Sequence, residues 1–296
     1  MKKVILILIL ASTFLNCSKD DDSSNSNESC TQNENAEMLI HNNVIREYIL
    51  YIPSTYNGTS LIPVMMNFHG FGGNATNYMN EADMRSLAES ENFILVYPQG
   101  SCLNGSPHWN PSLPGGDNKS TADDYGFIEE LINELSSNYN IDQERIYACG
   151  YSNGGMFAYG LAQNESNLIA AIGSVSGAMI ETTPNPSHPM PLINIHGTND
   201  GVLPYEGSND YSSIESTLNY WINFNETESS PTINSNTNNG VTIEKYTYEN
   251  GNNNVSIEHY KVINGEHVWF DIDYEGANTD KLIWDFVSRY DINGLR

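Results

Sequence analysis

One short stretch in the middle of the chain constrains the fold most, because glycines lie two residues before and two residues after a serine. An apolar, β-prone run, 146–149, leads into Gly150-Tyr151-Ser152-Asn153-Gly154, and a helix-like pattern follows. The glycines let a strand and a helix pass close together, and the sharp turn between them lifts the serine hydroxyl clear of the sheet edge. The stretch therefore predicts a strand, a turn and a helix with Ser152 as a nucleophile. An ordinary turn that happens to contain a serine is the simpler alternative.

Apolar strand patterns and amphipathic helix patterns alternate along the rest of the chain. Strands are predicted at 44–52, 62–68, 93–97, 146–149, 169–175, 191–195, 241–248 and 255–262, and helices at 79–90, 123–138, 153–163, 212–225 and 277–290. This alternation predicts an α/β fold with a mainly parallel central sheet and helices on both faces. Residues 98–122 and 226–240 are predicted loops, and Asp123 and Asp124 are expected to cap the helix that they open.

The charge balance limits the partners. The chain has 296 residues with 37 acidic and 12 basic side chains, a net charge of −25. Such an acidic protein is a poor partner for nucleic acid and for anionic membrane surfaces. The length suits one large α/β domain, and the composition leaves the oligomeric state open.

The first residues have the pattern of an export signal. Lys2 and Lys3 precede an apolar run, 4–10, that is too short to span a bilayer, and Cys17 follows. The stretch resembles a bacterial lipoprotein signal, so we expect a signal peptide at 1–16 and lipidation of Cys17. A disordered acidic tether at 17–37 and a catalytic domain at 38–296 would follow. The expected location is the outer membrane or cell surface, with the lipid anchor as the one membrane contact. A soluble secreted protein is the alternative.

The cysteines allow one disulfide in an oxidising compartment. Cys102 follows one predicted strand and Cys149 ends another, so we expect either a Cys102–Cys149 bridge or a buried free thiol at Cys149. No C-x-x-C or H-x-x-x-H spacing occurs, and an acidic loop from Asp271 has Leu282 where a calcium loop needs glutamate. We therefore expect no metal site.

A serine nucleophile needs a histidine base. His267 lies in a predicted loop between the last strand and the last helix, at the sheet edge that the turn at Ser152 faces. The other histidines after Ser152 lie in a proline-rich loop, at a strand end and within a strand: His188, His196 and His259. We therefore expect His267 to be the base.

The base in turn needs an orienting carboxylate, which precedes the histidine in chains that carry this serine turn. Asp200 is the one carboxylate in the loop 196–201, directly after a predicted strand. It is the expected acid, although Asn199-Asp200-Gly201 also suits an ordinary turn. Glu206 and Asp210 are weaker alternatives.

Two backbone N–H groups should stabilise the oxyanion that forms when a serine attacks an acyl group. One is the N–H of Asn153, at the start of the helix after Ser152. The other is expected from the turn 69–73 after an early strand, at Phe71, while His69 supports that loop. Aromatic residues are expected to line a substrate cleft, with core packing as the alternative for each: Phe71, Trp109, Tyr151 and Trp269.

Several stretches together resemble one branch of the α/β-hydrolase superfamily. This branch holds the secreted feruloyl esterases of the first carbohydrate-esterase family and the polyhydroxybutyrate-depolymerase-like esterases. The matching stretches are His69-Gly70-Phe71-Gly72-Gly73, Tyr97-Pro98-Gln99-Gly100, Asp123-Asp124-Tyr125-Gly126-Phe127, Gly150-Tyr151-Ser152-Asn153-Gly154-Gly155-Met156, His196-Gly197-Thr198-Asn199-Asp200 with Pro204-Tyr205, and Gly265-Glu266-His267-Val268-Trp269. The resemblance implies an α/β-hydrolase fold, a triad of Ser152, Asp200 and His267, and hydrolysis of carboxylic esters without a cofactor. Glu266 departs from the pattern, because relatives often have glycines before this histidine.

The expected substrate is an ester-bearing carbohydrate or a small ester. Display on the cell surface favours a polymer that is too large to import. Feruloyl or acetyl esters on plant-wall polysaccharide are therefore the first expected substrates. Hydroxyalkanoate esters are the alternative within the class. A surface glycan-binding lipoprotein on an inactive hydrolase scaffold is the alternative from another class.

Overall fold

The computed structural model describes residues 30, 35–116, 118–180 and 186–296, which build one large sheet with helices on both faces. The strands are β1 (Glu37–His41), β2 (Val44–Tyr51), β3 (Ile62–Phe68), β4 (Ile94–Pro98), β5 (Ser101–Leu103), β6 (Ser106–His108), β7 (Ile141–Tyr151), β8 (Ala171–Val175), β9 (Leu192–Gly197), β10 (Thr232–Asn238), β11 (Val241–Tyr248), β12 (Ile257–Val262), β13 (Asp273–Tyr274), β14 (Ala277–Asn278), β15 (Tyr290–Asp291) and β16 (Gly294–Leu295). The helices are α1 (Ala75–Glu81), α2 (Arg85–Glu91), α3 (Asp124–Asn138), α4 (Asn153–Asn164), α5 (Ile214–Asn225) and α6 (Thr279–Val287), with a 3₁₀ turn at Asn252–Asn254.

The main sheet has ten strands in the order β1-β2-β4-β3-β7-β8-β9-β12-β11-β10. From β4 to β12 in that order the strands run parallel, and the outer strands at both ends are antiparallel. The α/β prediction with a mainly parallel sheet is therefore confirmed. Because the central strands point the same way, the loops after β3, β7, β9 and β12 all meet at one edge.

Both faces of the sheet are buried, which explains why the central strands read as continuous apolar runs. Along β3, Val64, Met66 and Phe68 pack in one cluster with side chains from α3, α4 and α5. Met65 points the other way, into a second cluster with side chains from α1, α2 and α6. The expectation of helices on both faces is therefore confirmed.

Several regions differ from the predicted elements, among them the strand β1, the β5–β6 hairpin and the two regions that follow. The predicted loop 226–240 contains the edge strand β10, whose Thr and Asn side chains are largely exposed, so no hydrophobic pattern marked it. The predicted helix 79–90 is two short helices, because the backbone turns out of helical geometry at Ala82 (φ −112°, ψ 67°). Neither difference changes the edge at which the central strands end.

The disulfide joins Cys30 to Cys102, with the two Cα atoms 5.3 Å apart. The predicted Cys102–Cys149 bridge is wrong, because the two side chains lie in different environments. Cys102 belongs to the β5–β6 hairpin, inside the predicted loop 98–122, and is partly exposed. Cys149 is a buried free thiol in β7 whose Sγ lies 3.1 Å from Oδ1 of Asn67.

The predicted signal peptide, Cys17 and most of the predicted tether lie outside the described residues. Cys30, which falls within the predicted tether, forms the disulfide with Cys102, and β1 begins at Glu37. Among the described helices, none combines the length and the apolar character needed to cross a membrane.

Candidate active site

The predicted turn at Ser152 has the expected local structure. β7 ends at Tyr151, Ser152 has a left-handed φ of 53° with ψ of −118°, and α4 begins at Asn153. A Cβ atom at Gly150 would overlap the backbone of Gly154, and a Cβ atom at Gly154 would overlap the carbonyl oxygen of Phe68. The two glycines are therefore required by close backbone contacts, which let Ser152 stand out at the sheet edge.

The structure brings the three predicted side chains into one hydrogen-bonded chain. Oγ of Ser152 lies 2.9 Å from Nε2 of His267, and Nδ1 of His267 lies 2.7 Å from Oδ2 of Asp200. Ser152 follows β7, Asp200 follows β9 and His267 follows β12, so the three loops extend from the same edge. A carboxylate can only accept, so Nδ1 of His267 carries the proton and Nε2 is free to accept one from Ser152.

The carboxylate of Asp200 is buried and each of its oxygens has donors. Oδ1 accepts from the backbone N–H groups of Val202 (2.9 Å) and Leu203 (2.8 Å). Oδ2 accepts from His267 and lies 3.3 Å from Nε2 of His196. Burial by itself raises the Asp200 pKa, but the hydrogen bonds from His267, Leu203 and Val202 outweigh it and leave the pKa below its ordinary value. The group is therefore a fixed carboxylate that faces His267 in one orientation.

The loop after β3 forms the other side of the turn at Ser152. His69 is buried, its Nδ1 donates to the carbonyl of Gly70 (2.7 Å), and its Nε2 accepts from the N–H of Gly100 (3.0 Å). Burial lowers the pKa of His69 to about 4, so the imidazole is neutral at pH 7. The expectation that His69 supports this loop is confirmed. Phe71, two residues after His69, shares a cleft with Ser152 and Asn153.

This nucleophile cleft has a volume of about 230 Å³ and is mainly apolar. Its lining residues are Phe71, Pro111, Lys119, Ser152, Asn153, Met156, Ile180, Val202, Leu203 and Tyr211. The loop 98–122 contributes Pro111 and Lys119, so this loop forms one wall. Within the described residues, no group of three or more His, Cys, Asp or Glu side chains could hold a metal ion.

Trp109 does not line the cleft, and its predicted role in substrate contact is wrong. The indole is fully buried, stacks on Phe157 at a centroid distance of 5.0 Å and donates from Nε1 to the carbonyl of His69. The Trp109 N–H donates to Oδ1 of Asn153 (2.7 Å), and Nδ2 of Asn153 donates to the Trp109 carbonyl (3.0 Å). The side chain of Asn153 thus binds the loop 98–122 to the first turn of α4, a role that the sequence did not indicate.

Tyr151 and Trp269 are partly buried and pack against the second core cluster. The Tyr151 hydroxyl donates to the carbonyl of His267 (3.0 Å), and its ring lies 5.2 Å from the imidazole. Trp269 packs edge-on against Tyr78 at 5.7 Å. Neither side chain belongs to the walls of the cleft described above. Tyr151 therefore fixes the loop that carries the histidine.

Asp124 has a structural role that differs from the predicted helix cap. Asp123 caps α3 as predicted, because its side chain accepts from the N–H of residue 126. Asp124 is buried and accepts from Arg46 (2.8 Å), from the Ser101 hydroxyl (2.7 Å) and from the N–H of Asn110 (2.9 Å). It therefore anchors both arms of the loop 98–122, and the adjacent acids in the sequence were the one available signal.

The chain is similar in sequence to known esterases. The family model described as phospholipase/carboxylesterase matches residues 62–239. A bifunctional acetylxylan esterase/xylanase of Neocallimastix patriciarum is 32% identical over 161 residues, covering 54% of this chain and 22% of that protein. A probable feruloyl esterase C of Aspergillus clavatus is 31% identical over 172 residues, covering 58% of this chain and 60% of that protein.

Solved structures share the fold at low identity. An acetyl xylan esterase from Aspergillus awamori has a TM-score of 0.59 at 15% identity, covering 78% of this chain and 93% of that one. A thermostable esterase has a TM-score of 0.57 at 16% identity, covering 86% and 62%. The family model matches more than half of this chain. The chain therefore belongs to the phospholipase/carboxylesterase family of α/β-hydrolases.

Proposed function

We propose that this protein is a serine esterase that hydrolyses carboxylic esters through an acyl-enzyme. The observation that supports the proposal is the hydrogen-bonded chain Ser152–His267–Asp200, in which Ser152 lies at a strained strand-to-helix turn and lines the nucleophile cleft. Nε2 of His267 takes the proton as Oγ of Ser152 attacks the ester carbonyl. Asp200 holds the imidazole in the required tautomer and stabilises its positive charge.

The negative charge that develops on the carbonyl oxygen is held by the N–H groups of Phe71 and Asn153. Asn153 begins α4, where backbone N–H groups lack helical partners and the helix dipole favours negative charge. Each such donor is worth roughly 3 kcal/mol in the transition state. The C–O bond to the alcohol then breaks as His267 returns its proton to the leaving oxygen, and water repeats the two steps to release the acid.

The proposed substrate is a feruloyl or acetyl ester on plant-wall polysaccharide. The matched relatives are named acetylxylan and feruloyl esterases, although this chain spans only about a fifth and three fifths of the length of the two described above. A disulfide between Cys30 and Cys102 suits an exported protein, since disulfides persist in oxidising compartments. Lipidation at Cys17 would hold the enzyme at the cell surface beside such a polymer.

The test compares the wild type with Ser152→Ala on 4-nitrophenyl acetate and on wheat-bran arabinoxylan, from which released ferulate and acetate are measured. We expect Ser152→Ala to lose at least about 10⁴-fold in kcat, because the variant has no hydroxyl to acylate. Ser137→Ala, an exposed serine on α3, is the matched control and should retain full activity. An active and folded Ser152→Ala variant would overturn the proposal. Cleavage of a hydroxybutyrate oligomer in preference to arabinoxylan would change the substrate.

A further inference from the structure

Lys119 differs from most cationic side chains of the described residues, because no described carboxylate lies within 4.0 Å of its ammonium group. Within the described ranges, most cationic side chains lie within 4.0 Å of an acid: Arg46 with Asp124, Arg85 with Asp83, Arg145 with Asp142, Lys245 and Arg289 with Glu258, Lys261 with Glu244, and Lys281 with Asp285. Lys119 has no such partner among those residues. With 37 acids and 12 bases in the sequence, a lysine that has no carboxylate partner among the described residues calls for a physical reason.

Its position supplies a reason. Lys119 is exposed and lines the nucleophile cleft together with Ser152, and it is the one cation or anion among the cleft residues described above. Its Nζ lies 5.2 Å from the centroid of the Phe71 ring, which is 51% exposed. An ammonium group over an aromatic face is attracted to the ring. The contact therefore keeps the charge at the rim, over the residue whose N–H is a proposed oxyanion donor.

The rest of the cleft has no other cationic side chain among its lining residues. Many of its walls are apolar, such as Met156, Ile180 and Leu203, so a substrate carboxylate that enters would lose water, and Lys119 is the one charged group there with which it could pair. The negative net charge repels anionic substrates at long range, although salt screens this repulsion beyond roughly 10 Å. A cation at the cleft can offset this repulsion locally.

We propose that Lys119 gives this esterase a preference for esters that carry a carboxylate close to the ester bond, as an acylated uronic acid unit of a polysaccharide does. The inference rests on the proposed esterase function. Lys119 acts on binding, since its ammonium is the counter-ion of the substrate carboxylate, while Ser152 and His267 carry out the acyl transfer.

The test uses two matched pairs of substrates. The first pair places the charge on the acyl side and compares 4-nitrophenyl hemisuccinate with 4-nitrophenyl valerate. The second pair places it on the alcohol side and compares the acetylated methyl glycoside of glucuronic acid with that of glucose. In each pair the measured quantity is the ratio of kcat/KM for the charged substrate to kcat/KM for the neutral one.

We expect Lys119→Met to lower this ratio about fivefold in at least one pair, through KM, because an exposed ion pair is worth up to roughly 1 kcal/mol. Lys119→Arg keeps the charge and should retain most of the preference. Added salt should reduce the wild-type ratio but not that of Lys119→Met. The control is Lys281→Met, which changes the net charge equally but lies on α6, where Lys281 pairs with Asp285. It should leave both ratios unchanged.

The outcomes separate this inference from the function on which it rests. If the wild type cleaves the neutral esters in a Ser152-dependent way and Lys119→Met alters neither ratio, the anion preference is wrong and the esterase stands. If Lys281→Met lowers the ratios as much as Lys119→Met, net charge explains the effect and a specific role for Lys119 is wrong. If the wild type cleaves none of the four esters, the proposed function itself fails. A change in the first pair alone assigns the carboxylate to the acyl side, and a change in the second pair alone assigns it to the alcohol side.

Discussion

Replacing the buried acid by its amide, Asp200→Asn, should inactivate the enzyme while leaving the fold in place. The structure fixes the orientation of the new side chain. Oδ1 of Asp200 accepts two backbone N–H groups, from Val202 and Leu203, so the amide oxygen of asparagine must take that position. The amide NH₂ is then forced to the position of Oδ2, 2.7 Å from Nδ1 of His267. If the amide were flipped, its NH₂ group would face the N–H groups of Val202 and Leu203, and donors would oppose donors.

The forced orientation changes which ring nitrogen of His267 carries the proton. An NH₂ group can only donate, so Nδ1 of His267 must accept and the imidazole proton moves to Nε2. Nε2 faces the hydroxyl of Ser152 at 2.9 Å and then no longer accepts its proton. Loss of the correct tautomer in another serine hydrolase lowers kcat by about 10⁴, which corresponds to roughly 5.5 kcal/mol in the activation free energy.

The assay is the hydrolysis of 4-nitrophenyl acetate at pH 7, with thermal unfolding to check the fold and ¹⁵N NMR of His267 to read the tautomer. Asp210→Asn changes the net charge by the same amount at an exposed position and should keep full activity. A folded Asp200→Asn variant that loses less than about tenfold in kcat would refute the tautomer argument. An unchanged ¹⁵N spectrum would refute it as well.

Three further predictions concern stability. Gly154→Ala should destabilise the protein by about 1–3 kcal/mol or prevent folding, because the added Cβ overlaps a backbone carbonyl of β3. Gly201→Ala is the control, because its added Cβ has open space and the variant should be close to neutral. Thermal melts of both variants check this prediction. Burial, with nearby positive charge as a smaller cause, lowers the pKa of His259 to about 3, so between pH 6.5 and about 3 the unfolded chain takes up a proton that the folded chain does not. The contribution of His259 to the unfolding free energy should therefore fall by roughly 1.4 kcal/mol per pH unit on acidification through that window and not above it. Urea titrations of His259→Gln should show a slope that is smaller than the wild-type slope by this amount, and an equal slope would contradict the assignment. Reduction of the Cys30–Cys102 bridge, which closes a sequence separation of 72 residues, should lower the unfolding free energy by up to about 4 kcal/mol, and a melting temperature that does not change with reductant would count against this loop-closure estimate.

The sequence was most informative where local chemistry and strand order act together. The turn at Ser152 has its signature within five residues, and the loops with Asp200 and His267 follow strands that a parallel sheet brings to the same edge. The structure places these three side chains within hydrogen-bonding distance of one another, as expected. Local patterns sufficed here because each side chain follows its strand by only a few residues.

Other features depend on contacts that no local pattern records. The partner of Cys102 lies in the polar N-terminal region, and only the folded chain shows that Cys30 reaches it while Cys149 points into the core. Trp109 lies in a loop of polar residues, which favoured a role in the cleft, yet its ring is packed against α4. β10 is an exposed edge strand held by backbone hydrogen bonds to β11, so its polar side chains were indistinguishable from a loop.

The paired hydrogen bonds between Asn153 and Trp109 have a consequence for how this enzyme can change over evolution. The base of the loop 98–122 is hydrogen-bonded to α4 through Asn153 and to α3 through Asp124. The segment 113–116 at the tip of this loop is exposed. Insertions or substitutions at the tip can therefore reshape the entrance without moving the serine. Selection for new esters, natural or in the laboratory, should concentrate its tolerated changes in this tip and leave the fastened base alone.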